Sequence, residues 1–538
     1  MSNPRKPTWA DVIVCGAAVC LLGTAPAAAS NAIVSTDVRH DVSAPLSQMA
    51  AEARLGAAER TEQALMPRPT GATFDTTQAD PVAQPLITGL SGVTPGLNFA
   101  GQSANDNRAL LGFAFVPPDT NGAVGATQFV QIVNVTYAVY SKRTGERVLG
   151  PSLIHTVWDK FGGPCESGGD GGDPVVLYDQ LAGRWFISQL QFNANFSSNQ
   201  ECIAVSTTSD ATGSYNRYEF DFGNQLPDYP KFGVWPDAYY STQNMFQLAG
   251  ATFSFLGARA CALDRTAMLA GKTATQICVQ SGAASLLPSD VDGSALPPTG
   301  SPNFLVGLAD STHLNLFRFH ADFANPANST FAGPARIDVA PFRQVCPFAI
   351  NRACIQEPPP GERVDSLDDR VMFRLAYRNF GDHESLVVNH TVKNAGALAG
   401  VRWYEIRNPS TSPVVFQQGT VTDAETSFWM GSIAMDRAGD IALGFSAAGL
   451  RVFPSVLVAG RAATDPPGVM SGPLTLVNGT GVQQNSFNRW GDYSAMTVDP
   501  VDDCTFWYTQ EYYETSGRIN WTTRIGSFKF DACTARGR

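Results

Sequence analysis

The chain has 538 residues, a net charge of −11 and a pI near 5.1. This acidity argues against a nucleic-acid or anionic-membrane partner, because both need a basic surface on the protein. With 44% hydrophobic and 16% charged residues, the chain has enough apolar material for a sizeable core and is predicted to be globular.

The N-terminus has the pattern of a secretory signal. Two basic residues precede an apolar run at 12–22, and small residues follow at 25–30. We therefore predict a signal peptide at 1–29 and a secreted protein, extracellular or periplasmic. The apolar run is too short to cross a bilayer, so no membrane span is expected.

Eight cysteines lie beyond the predicted signal, and an even number in an exported chain predicts disulfides. Metal ligation is the alternative, but no CxxC or Cys/His spacing typical of zinc occurs. Sequential pairing keeps each bond inside one local β unit. It predicts the pairs Cys165–Cys202, Cys261–Cys278, Cys346–Cys354 and Cys504–Cys533.

Residues 30–96 differ from the rest of the chain, because they are rich in Ala, Thr and Pro and poor in aromatic residues. They are predicted to form a low-complexity leader or linker with one helix, Ser47 to Leu65. A pro-segment that is removed is the alternative.

Residues 97–538 have the sequence pattern of an all-β fold, in which short β-branched and aromatic runs are separated by Gly, Pro, Asn or Asp. A polar turn followed by an apolar strand recurs about every 60 residues, which favours a radial repeat over a two-sheet sandwich. We predict a β-propeller of about seven four-stranded blades. Its innermost strands are predicted to begin at Phe129, Val175, Ala238, Phe304, Val371, Gly431 and Tyr493.

The segment Thr208-Ser-Asp-Ala-Thr-Gly-Ser-Tyr215 resembles a degenerate Asp-box. Its spacing departs by one residue from the usual motif, and it ends in Tyr where the motif has Trp. On this segment the chain resembles secreted bacterial-type propellers of the sialidase-like (Asp-box, or BNR-repeat) superfamily. The resemblance implies the propeller fold and a cluster of arginines that clamps a substrate carboxylate.

The loops that lead into the innermost strands of a propeller gather at one mouth of its central funnel. Polar residues occupy these places in several units, which predicts a binding or catalytic mouth. The alternative is that each Asp only caps its own turn. The residues are Asp119, Asn121, Asp173, Asp237, Arg370, Arg489 and Asp492.

Arg370, Arg374 and Arg378 share one face of a predicted inner strand. Three arginines in line are costly unless they are paired or open to the funnel. By the resemblance, Arg378 and Arg489 would hold a substrate carboxylate, with Arg374 beside them. Ion pairing between blades is the alternative.

Four residues are candidates for proton transfer. His383 stands between an Asp and a Glu, and imidazole titrates near neutral pH. Asp173, Asp237 and Asp492 are the carboxyl candidates. A polar turn without chemistry is the alternative for His383.

Asp119, Trp490 and Glu511 complete the predicted substrate-binding set, since aromatic rings beside carboxylates suit sugars; core packing is the alternative for the Trp. The Gly-Asp repeat at 168–173 predicts a calcium site at Asp170 and Asp173, with a flexible polar loop as the alternative. No other cofactor is predicted.

These patterns predict a monomeric, secreted carbohydrate-active enzyme, a glycoside hydrolase or polysaccharide lyase. Its partner would be an acidic or hydroxyl-rich extracellular polysaccharide or glycoprotein bound at the funnel. The first alternative is a non-catalytic extracellular propeller that binds glycans or proteins. The second is a structural surface protein in which the polar turns are only turns.

Overall fold

The computed structural model describes residues 32–52, 78–86, 89–250, 252–346, 353–394, 396–484 and 487–535. The predicted signal peptide lies outside these residues. Strands dominate the described chain, and no helix in it is long and apolar enough to cross a membrane. The helices are α1 (Leu46–Glu52), α2 (Ala104–Leu111), α3 (Pro164–Ser167), α4 (Arg265–Leu269) and α5 (Asp531–Ala535), with 3₁₀ turns at Ile154–Trp158 and Pro326–Asn328.

Four strands precede the repeating part of the fold. They are β1 (Ile33–Thr36), β2 (Arg39–Val42), β3 (Ala83–Pro85) and β4 (Val93–Ser103).

The strands that follow form antiparallel meanders, which we call units 1 to 7 in chain order. Unit 1 contains β5 (Asn121–Val124), β6 (Gln128–Val133), β7 (Thr136–Ser141) and β8 (Arg147–Leu153). Unit 2 contains β9 (Val175–Asp179), β10 (Arg184–Phe192), β11 (Asn199–Ser206) and β12 (Tyr215–Gly223). Unit 3 contains β13 (Gln225–Val234), β14 (Tyr239–Ala249), β15 (Thr252–Leu263) and β16 (Thr275–Gln280). Unit 4 contains β17 (Leu287–Val291), β18 (Asn303–Asp310), β19 (His313–His320) and β20 (Thr330–Asp338).

A small two-stranded sheet separates units 4 and 5. Its strands are β21 (Ala353–Ile355) and β22 (Val364–Asp365). Unit 5 contains β23 (Met372–Asn379), β24 (Glu384–Lys393), β25 (Ala399–Arg407) and β26 (Val414–Thr422). Unit 6 contains β27 (Ser427–Met435), β28 (Ile441–Gly449), β29 (Val452–Arg461) and β30 (Ser471–Val477). Unit 7 contains β31 (Ala495–Val498), β32 (Thr505–Tyr513) and β33 (Trp521–Phe530), and β4 pairs with β33 as its fourth strand.

The first strands of successive units contact one another in a closed circuit. β5 contacts β9, and the contacts continue through β13, β17, β23 and β27 to β31, which contacts β5 again. β17 and β23 also pair in parallel, which joins units 4 and 5 into one sheet. The sheets therefore surround a common axis, as in a β-propeller, with the first strand of each unit innermost.

Four of the predicted innermost strands are the observed ones: β9, β23, β27 and β31. The other three, which begin at Phe129, Ala238 and Phe304, are second strands, so this part of the prediction is wrong. The true inner strands there are β5, β13 and β17, and they carry Gly, Pro or Asp, which in sequence indicate turns.

The residues that the sequence predicts as a leader or linker contribute strands to three of the sheets. β1 adds to the outer edge of unit 3, β2 to that of unit 2 and β3 to that of unit 5. β1 and β2 are short and largely exposed, and the backbone of each of the three strands pairs with the open edge of a sheet, which needs no apolar pattern. The propeller also starts earlier than the predicted residue 97, because β4, the fourth strand of unit 7, begins at Val93. The predicted helix from Ser47 corresponds to α1, and residues 53–65 lie outside the described chain.

All four predicted disulfides are present and confirm the sequential pairing, with Cα–Cα distances of 4.0 to 5.8 Å. Cys261–Cys278 joins neighbouring strands of unit 3. The core lies between the sheets, so strands such as β27 and β28 are buried along their whole length. This two-sided burial explains their nearly continuous apolar runs.

Candidate active site at the channel mouth

The loops that precede four inner strands bring charged side chains together at one end of the central channel. Asp119 precedes β5, Asp173 precedes β9, Arg370 precedes β23, and Arg489 and Asp492 precede β31. We call these residues, together with Asp228 and Lys231 of β13, the mouth cluster.

Direct hydrogen bonds connect three of these loops. Asp119 Oδ1 accepts from the backbone amide of Asp492 at 2.7 Å, and Asp119 Oδ2 accepts from Asn134 Nδ2 at 2.8 Å. The Asn134 side-chain oxygen in turn accepts from the backbone amide of Asp173 at 3.1 Å. Asp119 and Asp173 both have left-handed φ values, 47° and 50°, which Asp tolerates better than most residues. Asp119, which belongs to the loop before unit 1, thus holds the loop before β31 of unit 7 in position.

Gly491 allows this close approach. A Cβ atom at this position would lie 2.8 Å from Glu511 Oε1 and 3.5 Å from the backbone of Asp119. The Gly491 amide donates to the same Glu511 oxygen. Any larger residue at Gly491 would separate the two loops.

Both arginines of the mouth cluster are paired with carboxylates. Arg489 contacts Asp365 at 3.3 Å and Asp492 through its terminal nitrogen. Arg370 contacts Asp369 at 2.9 Å, and its guanidinium lies 4.5 Å from the centre of the Tyr229 ring. These pairs fix the arginines in place and use the Nε and Nη2 atoms of each guanidinium group.

A β-bulge in β13 turns Asp228 and Lys231 toward the cluster. The pairing with β14 shifts register between these two residues, and Tyr229 between them has φ of 56°. Bulges of this kind re-aim side chains beside functional sites. The ammonium group of Lys231 lies 3.6 Å from the centre of the Tyr229 ring and 3.7 Å from that of Tyr493.

The pKa values of the cluster are displaced by burial and by like charges. Burial, followed by the charges of Asp173 and Asp492, raises the pKa of Asp228 to about 7. Burial, followed by Asp492, raises the pKa of Asp119 well above its usual value. Burial also raises the pKa of Asp173. Burial lowers the pKa of Lys231 to about 8.

Asp228 differs from the other carboxyl groups in its contacts. Within the described chain its carboxyl group has no hydrogen-bond or ion-pair partner, and the residue is partly exposed. Asp173 and Asp492 are also partly exposed, whereas Asp119 is buried. A ligand at the mouth can therefore reach three carboxyl groups, and burial and like charges raise the pKa of one of them, Asp228, to about 7.

Of the predicted site residues, Asp119, Asp173, Arg489 and Asp492 come together at the mouth. Trp490 and Glu511 lie beneath it and are buried. The indole of Trp490 donates to Ser446 Oγ, so the ring is part of the core and offers no sugar platform. Glu511 accepts from the Gly491 amide and supports the loop from below.

Arg374 and Arg378 do not belong to the mouth, and their predicted role in substrate binding is wrong. Arg374 is buried and bonded to Asp290 and Asp292. Arg378 is bonded at 2.7 Å to Asp503 of unit 7 and also donates to the Met435 carbonyl of unit 6. Ion pairing between blades, the alternative in the sequence, accounts for both arginines.

Asp237 and His383 lie at the opposite end of the channel from the mouth. Asp237 is in the hairpin after inner strand β13, and His383 is in the hairpin after inner strand β23. Asp237 accepts from Tyr240, and His383 contacts exposed Asp382 and stacks on Phe380. Their predicted convergence with the mouth residues is therefore wrong.

Asp237 lines a cavity of about 210 Å³ with Trp235, His320 and the loop 296–301. The sequence pattern predicts Asp237 at the mouth because β14, the strand that Asp237 precedes, has the apolar pattern of an inner strand.

The two predicted calcium ligands, Asp170 and Asp173, have different surroundings. Asp170 accepts two hydrogen bonds from His155, from its backbone amide at 2.9 Å and its ring at 2.7 Å. Asp173 faces the mouth cluster. In the described chain the one group with metal-ligand spacing is Asp436 with Cys504 and Cys533, and these cysteines form a disulfide and offer no thiolate.

The Asp-box-like segment forms the hairpin turn between β11 and β12. Asp210 accepts from the backbone amide and the hydroxyl of Thr212, both at 2.9 Å, and from Gln128 of unit 1 at 2.9 Å. These contacts lower the pKa of Asp210 despite some burial. The segment has a structural role, as a turn that also ties unit 2 to unit 1.

Asp228 and Lys231 were missed in the sequence. Their segment, Asp-Tyr-Pro-Lys, does not alternate as a strand does, although a Pro inside an extended run is a signal for a bulge. Arg370 was recognised as a mouth residue, but its pairing with Asp369 follows only from the fold.

No protein-family model and no curated protein matches this sequence. Among solved structures, an α-L-arabinanase from Penicillium chrysogenum is similar over 81% of this chain and 99% of its own, with 11% identity and a TM-score of 0.37. An α-L-arabinofuranosidase from Fusarium graminearum covers 83% and 96%, with 6% identity and a TM-score of 0.32. An exo-β-1,3-galactanase from Phanerochaete chrysosporium covers 80% and 96%, with 12% identity and a TM-score of 0.28.

At these TM-scores the likenesses carry no argument about this chain. The resemblance to sialidase-like propellers is not confirmed by them and stays a prediction.

Proposed function

We propose that the protein is a seven-bladed β-propeller that hydrolyses glycosidic bonds at the mouth cluster. The observation that carries the proposal is the state of Asp228. Its carboxyl group is partly exposed and has no partner in the described chain, and its pKa is raised to about 7. A carboxyl group whose pKa lies near neutral pH, beside a second carboxyl group that an arginine contacts, is the arrangement that glycosidic cleavage requires.

In this proposal Asp228 is the general acid that protonates the leaving oxygen. Asp492 is the second carboxyl group of the pair, because Arg489 contacts its carboxylate and Asp119 holds its backbone amide. Asp492 then serves as base or nucleophile, and Asp173 maintains the raised pKa of Asp228 by its charge. Asp119, Asn134 and Glu511 act by positioning the loops.

Hydrolysis is favoured over elimination because the arginines of the mouth cluster are paired with carboxylates of the protein. A lyase that acts on uronates must neutralise the substrate carboxylate, whereas Arg370 and Arg489 are each paired with carboxylates of the protein. Of the acidic and the hydroxyl-rich polysaccharides predicted as substrates, the mouth therefore suits the second class.

The proposal includes export of the protein as a monomer after removal of a signal at 1–29, with β1 to β4 retained as strands of the sheets. Four disulfides support an oxidising compartment outside the cytoplasm.

The test is incubation of the protein with a panel of polysaccharides and measurement of new reducing ends. We expect release by the wild type, a loss of about 10²-fold or more in Asp228→Asn, and no loss in Asp382→Asn. Asp382 is the matched control because it is an exposed Asp at the opposite end of the channel. Binding without release by the wild type would favour the non-catalytic glycan-binding alternative.

A further inference from the structure

The three carboxyl residues that a ligand can reach at the mouth come from three different units. They are Asp173, Asp228 and Asp492. The loops before β9 and β31 carry the first and the last of them, and β13 carries the second. Because no single unit contains two of them, contacts between units must set the distances between the three carboxyl groups.

The residue that directly follows each of these carboxyl residues is buried. These residues are Pro174, Tyr229 and Tyr493. The Tyr493 hydroxyl donates to the Pro174 carbonyl at 3.2 Å, and the centres of the two tyrosine rings lie 6.1 Å apart. The buried neighbours of the carboxyl residues therefore contact one another across units 2, 3 and 7.

The ammonium group of Lys231 lies between the two tyrosine rings. It is 3.6 Å from the centre of the Tyr229 ring and 3.7 Å from that of Tyr493, and the residue is 0% exposed. Its hydrogen bond to the Pro230 carbonyl, at 2.9 Å, stays within its own strand. The attraction of the ammonium group to both ring faces therefore connects unit 3 with unit 7.

Lys231 is charged at neutral pH. Burial lowers its pKa to about 8, against the charges of Asp173, Asp119 and Asp492, which raise it. An ammonium group that is buried away from water costs folding free energy, and an apolar side chain of the same length would avoid that cost. What the ammonium group adds is attraction to two rings at once, which an apolar chain does not supply.

We propose that Lys231 is a positioning residue of the mouth, which through the rings of Tyr229 and Tyr493 fixes the distances between the three carboxyl groups. This inference rests on the proposed function, since that function assigns the chemistry to these carboxyl groups. The alternative is that Lys231 acts only as a positive charge beside the carboxylates, in which case the rings contribute nothing.

The experiment is backbone hydrogen exchange at pH 7, measured by mass spectrometry on peptides that cover 171–176 and 488–495. In these loops the amides of Asp173 and Asp492 are hydrogen-bonded to side chains of unit 1 or the loop before it. We expect both loops to exchange about tenfold faster in Lys231→Met, while peptides from β28 keep the wild-type rate. Lys272→Met is the matched control, because Lys272 is an exposed lysine of unit 3.

Substitutions at Tyr493 separate the ring from the charge. Tyr493→Leu removes the ring face and should loosen both loops as Lys231→Met does. Tyr493→Phe keeps the face and loses only the bond to Pro174, so we expect faster exchange at 171–176 alone. Lys231→Arg keeps a cation that stacks on aromatic rings and should retain most of the protection. Combining Lys231→Met with Tyr493→Leu should add little to either change, because both remove the same contact.

Urea unfolding of each variant shows whether its fold is intact. We expect Lys231→Met to be at least as stable as the wild type, since it removes a buried charge. If this variant does not fold, the comparison of Tyr493→Leu with Tyr493→Phe decides in its place.

Three results would overturn the inference. The first is wild-type exchange of both loops in Lys231→Met. The second is an equal acceleration in β28, which would show a role in the core alone. The third is loosened loops in Lys231→Met but not in Tyr493→Leu, which would leave Lys231 as a counter-charge. None of these readouts needs a substrate, so absence of reducing-end release by the wild type contradicts only the hydrolase proposal.

Discussion

The carboxylate of Asp119 accepts a 2.7 Å hydrogen bond from the backbone amide of Asp492, although 373 residues separate them in the chain. The contact joins unit 1 and unit 7, whose inner strands β5 and β31 close the circuit. It also sets the position of the Asp492 loop in the mouth. The assembly of the site and the closure of the fold therefore depend on the same bond.

Asp119→Ala is expected to lower both stability and activity. The substitution removes the acceptor for the Asp492 amide and for Asn134 Nδ2, and leaves both donors without it. Loss of partners for buried donors costs about 1–3 kcal/mol each. Urea unfolding measures the loss. Asp119→Asn keeps one acceptor oxygen and should lose less; equal stability of the wild type and Asp119→Ala would contradict the positioning role.

Asp228 gives the protein a pH-dependent stability that Asp228→Asn removes. Its folded pKa of about 7 lies above the unfolded value near 4, so the folded state holds a proton that the unfolded state has lost between these two pH values. Stability from this group therefore falls as pH rises from about 4 to 7. Urea unfolding at several pH values should show a smaller fall in Asp228→Asn. Parallel curves for the two proteins would show that the pKa of Asp228 is not raised.

Arg374→Met is expected to destabilise the fold by about 3–5 kcal/mol without a direct effect on ligand binding. The change leaves Asp290 and Asp292 buried without their cation. Urea unfolding and calorimetric titration on the same sample distinguish this structural role from the substrate contact predicted in the sequence. A variant that is as stable as the wild type but binds the ligand more weakly would instead support the predicted contact between Arg374 and the substrate.

Removal of Cys165–Cys202 is expected to cost more stability than removal of Cys346–Cys354. The two bonds span sequence separations of 37 and 8 residues. By chain entropy the longer loop contributes about 1 kcal/mol more. Paired Cys→Ala variants, compared by urea unfolding, measure the difference, and the reverse order would exclude the entropic account.

The sequence predicts the class of fold and the disulfides better than the site. Strand-and-turn spacing and an even number of cysteines depend on local chemistry, which is readable along the chain. Asp119, Asp173, Arg489 and Asp492 were found because each stands in a polar turn before an inner strand.

The errors have two physical sources, the identity of three inner strands and the contacts that residues make with other units. Those of units 1, 3 and 4 carry turn-like residues, so their apolar second strands were taken for them. This shift placed Asp237 at the wrong end and concealed Asp228 in a bulge. The partners of Arg374 and Arg378 come from other units, and no local pattern predicts such pairs.

The pH–rate profile of glycan hydrolysis tests the central claim most directly, because it reports the proton on Asp228 during turnover. We predict that kcat/KM of the wild type falls above about pH 7 as the general acid ionises. Asp228→Asn should retain about 1% or less of the activity and lose this limb, while Asp382→Asn keeps the wild-type profile. Persistence of the limb, or of most of the activity, in Asp228→Asn would contradict the account.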